Sequence, residues 1–418
     1  KTAKIVLGGK VKKLLAILVL GLLLSSNAYT ASVDDCDGTK SNSTTVKYEC
    51  VNGDTMTVAA GTLIKKNWVV VTPQKYNAQE VTINNSGTIK NNGTQDANAF
   101  LGNGSGTIKI NNLTTDSTIQ GQIGGMNIGT GDDWTIDNYG KIYGVTQKAI
   151  QVKSGDNLKV TNQSGGLIRA GVLNSTTDTE INAILIWGTS SDSSEDSIIE
   201  NYGTITAARN TIKAGSYSGT TTITNYSGGV ISNTDDDGEK AAIRIDGNNV
   251  TLTNEGTITG SGTSHSIELG GDSAPTGTKI YIDGAPTFTG EIELTNSTNA
   301  GNTTVYLGCS MTQDTTIEIH NHGGALNVEN NLCGNDTYTL STEDLDDASD
   351  TFNDSLEDDG YLIIDEGLEV VSNNASYRSE NVLTKLKGLF SAANYIDGVE
   401  PEDKFFRVFY SNVKRENM

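Results

Sequence analysis

Along the middle of the chain, short runs of residues place Ile, Val or Leu at alternate positions, and polar stretches rich in Asn, Gly, Ser and Thr separate the runs. Period two is the signature of a half-buried strand. One phrase returns: an aliphatic residue, any residue, Asn, any residue, Gly, any residue, Ile. It reads Ile83-Asn84-Asn85-Ser86-Gly87-Thr88-Ile89, and again from Ile136 through Asn138 and Gly140 to Ile142, from Ile199 through Asn201 and Gly203 to Ile205, and from Leu252 through Asn254 and Gly256 to Ile258. Two copies, through Asn162 to Ile168 and through Asn225 to Ile231, carry two extra residues around the Gly, and a degenerate copy holds Asn112. Six intervals between the Asn positions cover 169 residues, about 28 each, with a range of 24 to 39. A second phrase falls between them, as in Ala149-Ile150-Gln151-Val152, Ala242-Ile243-Arg244-Ile245 and Ser266-Ile267-Glu268-Leu269, so each period holds two or three strands.

A unit of this size cannot bury its aliphatic face alone, whereas stacked coils share one continuous core. The pattern predicts an all-β fold, a right-handed parallel β-helix. A propeller blade needs a longer repeat, and a sandwich does not hold one phrase in register over so many returns. Asn85, Asn138, Asn162, Asn201, Asn225 and Asn254 are predicted to stack as an internal hydrogen-bonded ladder. Gly87, Gly140, Gly203 and Gly256 are predicted at corners where positive φ favours glycine.

Composition agrees with a thin core: 35% of residues are hydrophobic, and the 418 residues include 47 Gly and 4 Pro. The chain opens with Lys1, Lys4, Lys10, Lys12 and Lys13, then a Leu-rich run over 14–24, then small residues at Ser26-Asn27-Ala28. That order reads as a secretory signal peptide over 1–28 rather than a membrane span. Without those five lysines, 24 basic residues face 51 acidic ones. Such a surface repels phosphate backbones, so nucleic acid is not an expected partner. Cys36 and Cys50 are separated by 13 residues, and Cys309 and Cys333 by 23. In an exported chain these read as two local disulfides, and no CxxC spacing favours a thiolate metal site instead.

The boundaries that follow are an N-terminal disulfide-capped segment over 29–80, β-helix repeats over 81–300, and a distal solenoid and acidic region over 301–375. Beyond these, Leu383, Leu386 and Phe390 recur at helical spacing within 376–400, and Phe405-Phe406-Arg407-Val408-Phe409-Tyr410 forms an aromatic strand within 401–418. The signal peptide, the repeated Asn-x-Gly-x-Ile coils and a short helix before an aromatic strand together resemble a bacterial autotransporter (type V secretion) passenger. The resemblance implies a surface-exposed or secreted solenoid that crosses the outer membrane with the help of a C-terminal β-barrel translocator. The helix would be the linker, residues 401–418 the start of a truncated barrel-like segment, and the translocator a partner missing from this chain.

Chemistry-bearing candidates are sparse. Gly271-Asp272-Ser273 resembles a serine-protease nucleophile motif, but Ala274 stands where that motif has Gly. His320, His322 and Glu318 share a strand face and form a partial metal set, while Asp235-Asp236-Asp237-Gly238-Glu239 is an acidic loop. Glycan-cleaving β-helices line up carboxylates, or a cation and Arg, on one strand face. Here no coil is expected to stack acids on those of its neighbours, and Arg is rare in the solenoid (Arg169, Arg209, Arg244). The reading is therefore a noncatalytic passenger with no catalytic residues, no metal and no cofactor. Its ligand would be a surface glycan or protein met through variable loops such as 189–196. A secreted polysaccharide lyase or hydrolase on the same fold is the alternative.

Overall fold

The computed structural model describes residues 33–66, 71–73, 79–93, 98–102, 106–128, 132–152, 157–171, 181–187, 196–215, 219–234, 240–270, 275–294, 303–321, 326–330, 337–342, 355–356 and 360–365. The segments read as signal peptide, helical linker and barrel-like start lie outside them.

Among the described residues the strands gather into three sheets of 14, 13 and 9 strands. The chain visits them in rotation. Val250–Asn254 lies in the 13-stranded sheet (sheet B), Thr257–Thr259 in the 9-stranded sheet (sheet C), His265–Leu269 in the 14-stranded sheet (sheet A), and Thr278–Ile282 returns to sheet B. From Val33–Asp35 to Leu326–Asn330 the strands pair in parallel with their counterparts one coil away, as in Val250↔Thr221 and Thr257↔Val230. The molecule is a parallel β-solenoid. The stacking reaches back to Val33–Asp35, which pairs in parallel with Lys47–Cys50, so the residues read as an N-terminal cap already form coils.

The rotation explains the core. Sheet C stacks Ile64, Ile89, Ile119, Ile142, Ile168, Ile205, Ile231 and Ile258 directly over one another, all with no exposed surface. Sheet A contributes Ile150, Ile184, Ile212, Ile243 and Ile267 in the same manner. Each fully buried aliphatic side chain stabilises the fold by about 1.5–3 kcal/mol relative to exposure. That is how a chain so poor in hydrophobic residues fills an interior.

The 39-residue interval between Asn162 and Asn201 has a local cause. In that coil both the connection from Ala170 to Ile184 and that from Trp187 to Ser197 are long, while the corner from sheet B to sheet C, from Asn162 to Leu167, grows by only two residues. The largest variation thus falls on two of the three corners. At the distal end the stacking changes sense: Gly360–Asp365 pairs antiparallel with Thr315–Asn321, and Ser355–Leu356 antiparallel with Leu326 and Asn327. Strands laid the other way against a solenoid end occupy the backbone groups that an open edge would present.

Candidate functional site

The shortest corner, and the one that keeps its Asn in every copy, joins sheet B to sheet C. Seven asparagines close their sheet B strands there: Asn85, Asn112, Asn138, Asn162, Asn201, Asn225 and Asn254. All are buried with no exposed surface. The Nδ2 of each of the first six donates to the Oδ1 of the next, at 2.9, 2.8, 2.8, 2.8, 2.8 and 2.9 Å along the file. The second amide hydrogen reaches a backbone carbonyl of the next coil, as from Asn162 to Thr204 at 3.2 Å and from Asn225 to Thr257 at 3.1 Å. The Oδ1 also accepts from the backbone N–H of the glycine two residues on, at 3.1 Å for Gly87, 3.3 Å for Gly203 and 3.2 Å for Gly256. A buried amide is stable only when both its donor and its acceptor are satisfied. Here the partners are other copies of the same phrase.

The glycines act for a different reason from the one the sequence suggests. Gly87, Gly140, Gly203 and Gly256 do not have positive φ. Their requirement is close approach: a Cβ on Gly140 would lie 2.4 Å from the Ser117 carbonyl oxygen, and one on Gly256 2.5 Å from that of Gly229. Positive φ falls instead on Gly165 and Gly228, in the two copies lengthened by two residues. In those copies Gly166 and Gly229 take the crowded place. The aromatic after the Asn adds an outer contact, since the rings of Tyr202 and Tyr226 stack with centroids 4.1 Å apart. Their hydroxyl hydrogen bond pushes the Tyr226 phenol up to about 12.

Cys36 and Cys50 form a disulfide with Cα atoms 4.8 Å apart, both fully buried. Cys309 is also disulfide-bonded, and Cys333 lies outside the described residues.

The second grouping sits on sheet A, on positions that alternate with the core. Register places Lys213 beside Arg244, Arg244 beside Glu268, Glu268 beside Glu293, and Glu293 beside His320. Lys213 Nζ meets Asp246 at 3.0 Å, Arg244 bridges Asp246 at 2.9 Å and Glu268 at 3.0 Å, and His320 Nδ1 meets Glu293. The Glu268 and Glu293 side chains are each only 10% exposed. Burial pushes the Glu268 carboxyl above its ordinary range, and Arg244 pulls it part of the way back. At one border of this line His265 Nδ1 lies 2.8 Å from Glu291 Oε1. One ligand atom each from His265, Glu291 and Glu293 falls within 4.8 Å of the others.

This corrects the expectation that no coil stacks acids on its neighbours. Glu268 and Glu293 are 25 positions apart in sequence yet adjacent across the sheet. Their phrases, Ser266-Ile267-Glu268-Leu269 and Ile292-Glu293-Leu294, do align, but Ile292–Leu294 follows no Asn-x-Gly corner and so escapes a search built on that phrase. Of the histidine set, Glu318 and His320 do share the outward face of Thr315–Asn321, His320 meets Glu293, and His322 lies outside the described residues. Gly271-Asp272-Ser273 and Asp235 to Glu239 also lie outside the described residues, as does the 189–196 loop up to Asp196. Asp196 itself accepts hydrogen bonds from Thr220 Oγ1 at 2.6 Å and from its N–H at 3.1 Å, which hold its carboxyl below the usual range.

No protein family, curated protein or solved structure matches the chain.

Proposed function

We propose that the chain is an exported, noncatalytic passenger of the autotransporter kind, whose solenoid carries recognition loops away from a cell surface toward a glycan or protein. The observation that carries this reading is the contrast between corners. The corner after each Asn of the file stays short, at two to five residues, while the connections leaving sheets C and A run from two to thirteen. A regular spine with more variable edges suits contact over an extended surface. The buried Cys36–Cys50 disulfide near the start of the described solenoid supports an oxidising destination.

The test has two arms. Cells producing the chain are treated with an impermeant protease or probed with an antibody to the solenoid, and the purified chain is applied to glycan arrays and host-cell proteins. Surface access, together with binding that is lost when residues 188–195 are replaced by a Gly/Ser segment, supports the reading. A chain retained wholly inside the producing cell overturns it.

A second reading, a secreted polysaccharide-acting enzyme, is favoured by the aligned Arg244, Glu268, Glu293 and His320. Turnover of an acidic or neutral polysaccharide, abolished by Glu268→Gln or Glu293→Gln in a folded chain, would replace the first reading with this one.

A further inference from the structure

The sheet A grouping gathers carboxylates on neighbouring strands, with Arg244, His265 and Lys240 acting on Glu268. Glu268 and Glu293 are adjacent partners on parallel strands, which lie about 4.8 Å apart, and like charges placed so are destabilising. Arg244 answers Glu268 and is shared with Asp246. Glu291 adds a third carboxylate beside Glu293.

His265 supplies the second, independent sign. Its Nδ1 is buried and makes no hydrogen bond, although Glu291 Oε1 is 2.8 Å away, because the two are not aligned for one. An imidazole nitrogen and a carboxylate oxygen this close, with a second carboxylate within 4.8 Å, form a set whose ligand atoms can converge on one cation. Tetrahedral ligands on Zn²⁺ at about 2.1 Å sit about 3.4 Å from one another. The 2.8 Å and 4.8 Å limits of this group bracket that spacing. Glu291, whose side chain is 29% exposed, has room to adjust.

The backbone beneath is tied by hydrogen bonds across the coils. The Glu291 carbonyl accepts from the Ser266 N–H and from Ser266 Oγ, both at 2.9 Å. Gly290, at φ +82°, turns the chain into the strand where a Cβ would lie 2.5 Å from the Ser264 carbonyl oxygen. The His265 N–H donates to the Lys240 carbonyl at 2.9 Å. Ligands fixed in this way need little ordering on binding.

We propose that His265, Glu291 and Glu293 bind one first-row divalent cation of the Zn²⁺ type, with His320 as the positioning residue that orients the Glu293 carboxylate. The imidazole nitrogen selects against Ca²⁺ and Mg²⁺, which prefer all-oxygen sets. Three protein ligands leave an outward position for water or for an oxygen of a partner. The ion ties the strand His265–Leu269 to Ile292–Leu294, and His320 extends the tie to Thr315–Asn321. This tie lies beyond Asn254, where the Asn file has ended, so it would take over the coil-to-coil linkage there.

The test uses the full untagged chain, stripped with chelator and titrated with Zn²⁺, and with Ca²⁺ and Mg²⁺ in parallel. Metal content and calorimetry are both read. The expected result is one Zn²⁺ per chain, a higher melting temperature with Zn²⁺, and no saturable Ca²⁺ or Mg²⁺ binding at the same concentrations. His265→Ala and Glu293→Gln should each weaken Zn²⁺ binding by 100-fold or more. His320→Ala should weaken it by about 10–100-fold, as loss of an outer partner does, and His320→Asn, which keeps a donor, should recover part of that. Should His265→Ala fail to fold, Glu291→Gln decides, because Glu291 holds its coil through its backbone carbonyl. Binding that never saturates at one ion, or that is unchanged in His265→Ala or Glu291→Gln, overturns the proposal.

Discussion

Asn225 donates to Asn254 at 2.9 Å, and there the file of asparagines stops. The residue stacked on Asn254 in the next coil is Ile282, so the Asn254 Nδ2 is buried without a partner. At the opposite end the residue paired with Asn85 is Val58. The file is therefore polar in its middle and bounded by aliphatic residues at both ends. Its two ends are not equivalent, because the amides all point the same way.

This asymmetry predicts unequal effects for one substitution made at two places. Asn162→Leu removes an acceptor for Asn138 and a donor to Asn201 and Thr204. It should cost about 2–4 kcal/mol, since buried partners are left unmet. Asn254→Leu removes an acceptor for Asn225 and the Gly256 N–H, but also deletes a donor that had no partner. It should cost about 1 kcal/mol. Guanidinium midpoints of the two variants check this, and equal losses would contradict the directional file.

The glycines predict a second contrast. Gly140→Ala drives a Cβ into the Ser117 carbonyl oxygen at 2.4 Å and the Asn112 Nδ2 at 2.6 Å. Backbone must move, and the variant should lose several degrees of melting temperature or fail to accumulate. Gly228 has φ +83° with nothing within 4 Å of an added Cβ. Asn tolerates that conformation, so Gly228→Asn should cost no more than about 1 kcal/mol. A Gly228→Asn variant less stable than Gly140→Ala would refute the distinction between crowding and φ.

The fold was legible because repetition amplifies a weak signal. A single Ile199-Glu200-Asn201 says little, but the same spacing at seven places marks one corner of every coil from Asn85 to Asn254. What a corner glycine does was less legible: close approach and positive φ select the same residue, and only the paired glycines Gly165-Gly166 and Gly228-Gly229 hint that the two tasks are separate. The sheet A grouping was not legible. Glu268, Glu293 and His320 occupy equivalent positions only after loops of unequal length have been removed, and alternation along a strand looks the same whether its outward residues are Thr or Glu.

The Cys36–Cys50 disulfide predicts a local effect. Closing a loop of 14 residues is worth about 3 kcal/mol in the chain-entropy account. Coils of a solenoid contact only their neighbours, so the loss should stay near the first strands. In Cys36→Ser/Cys50→Ser, amide exchange should accelerate around Lys47–Cys50 and Thr55–Val58 and stay unchanged around Val250–Asn254. Uniform acceleration along the chain would mean that the solenoid unfolds as one unit.

Glu268 gives the pH prediction. Burial is the larger influence on it and favours the neutral acid, while Arg244 favours the carboxylate and only partly offsets burial. The folded chain therefore holds this proton more tightly than the unfolded chain does. The contribution of Glu268 to stability is fully present below the unfolded carboxylate range and is lost as pH rises through the raised folded value. Glutamine imitates the neutral acid at every pH. Arg244 keeps Asp246 at 2.9 Å, so it is not orphaned by the change. With metal-free protein, the stability of Glu268→Gln relative to the wild-type chain should rise as pH is taken from about 4 to 7, because the wild type alone pays for the buried charge. Melting temperatures of the two proteins across that range measure it. If the wild type gains on the variant instead, the attraction to Arg244 outweighs burial, and Glu268 is held as a charged partner of the arginine.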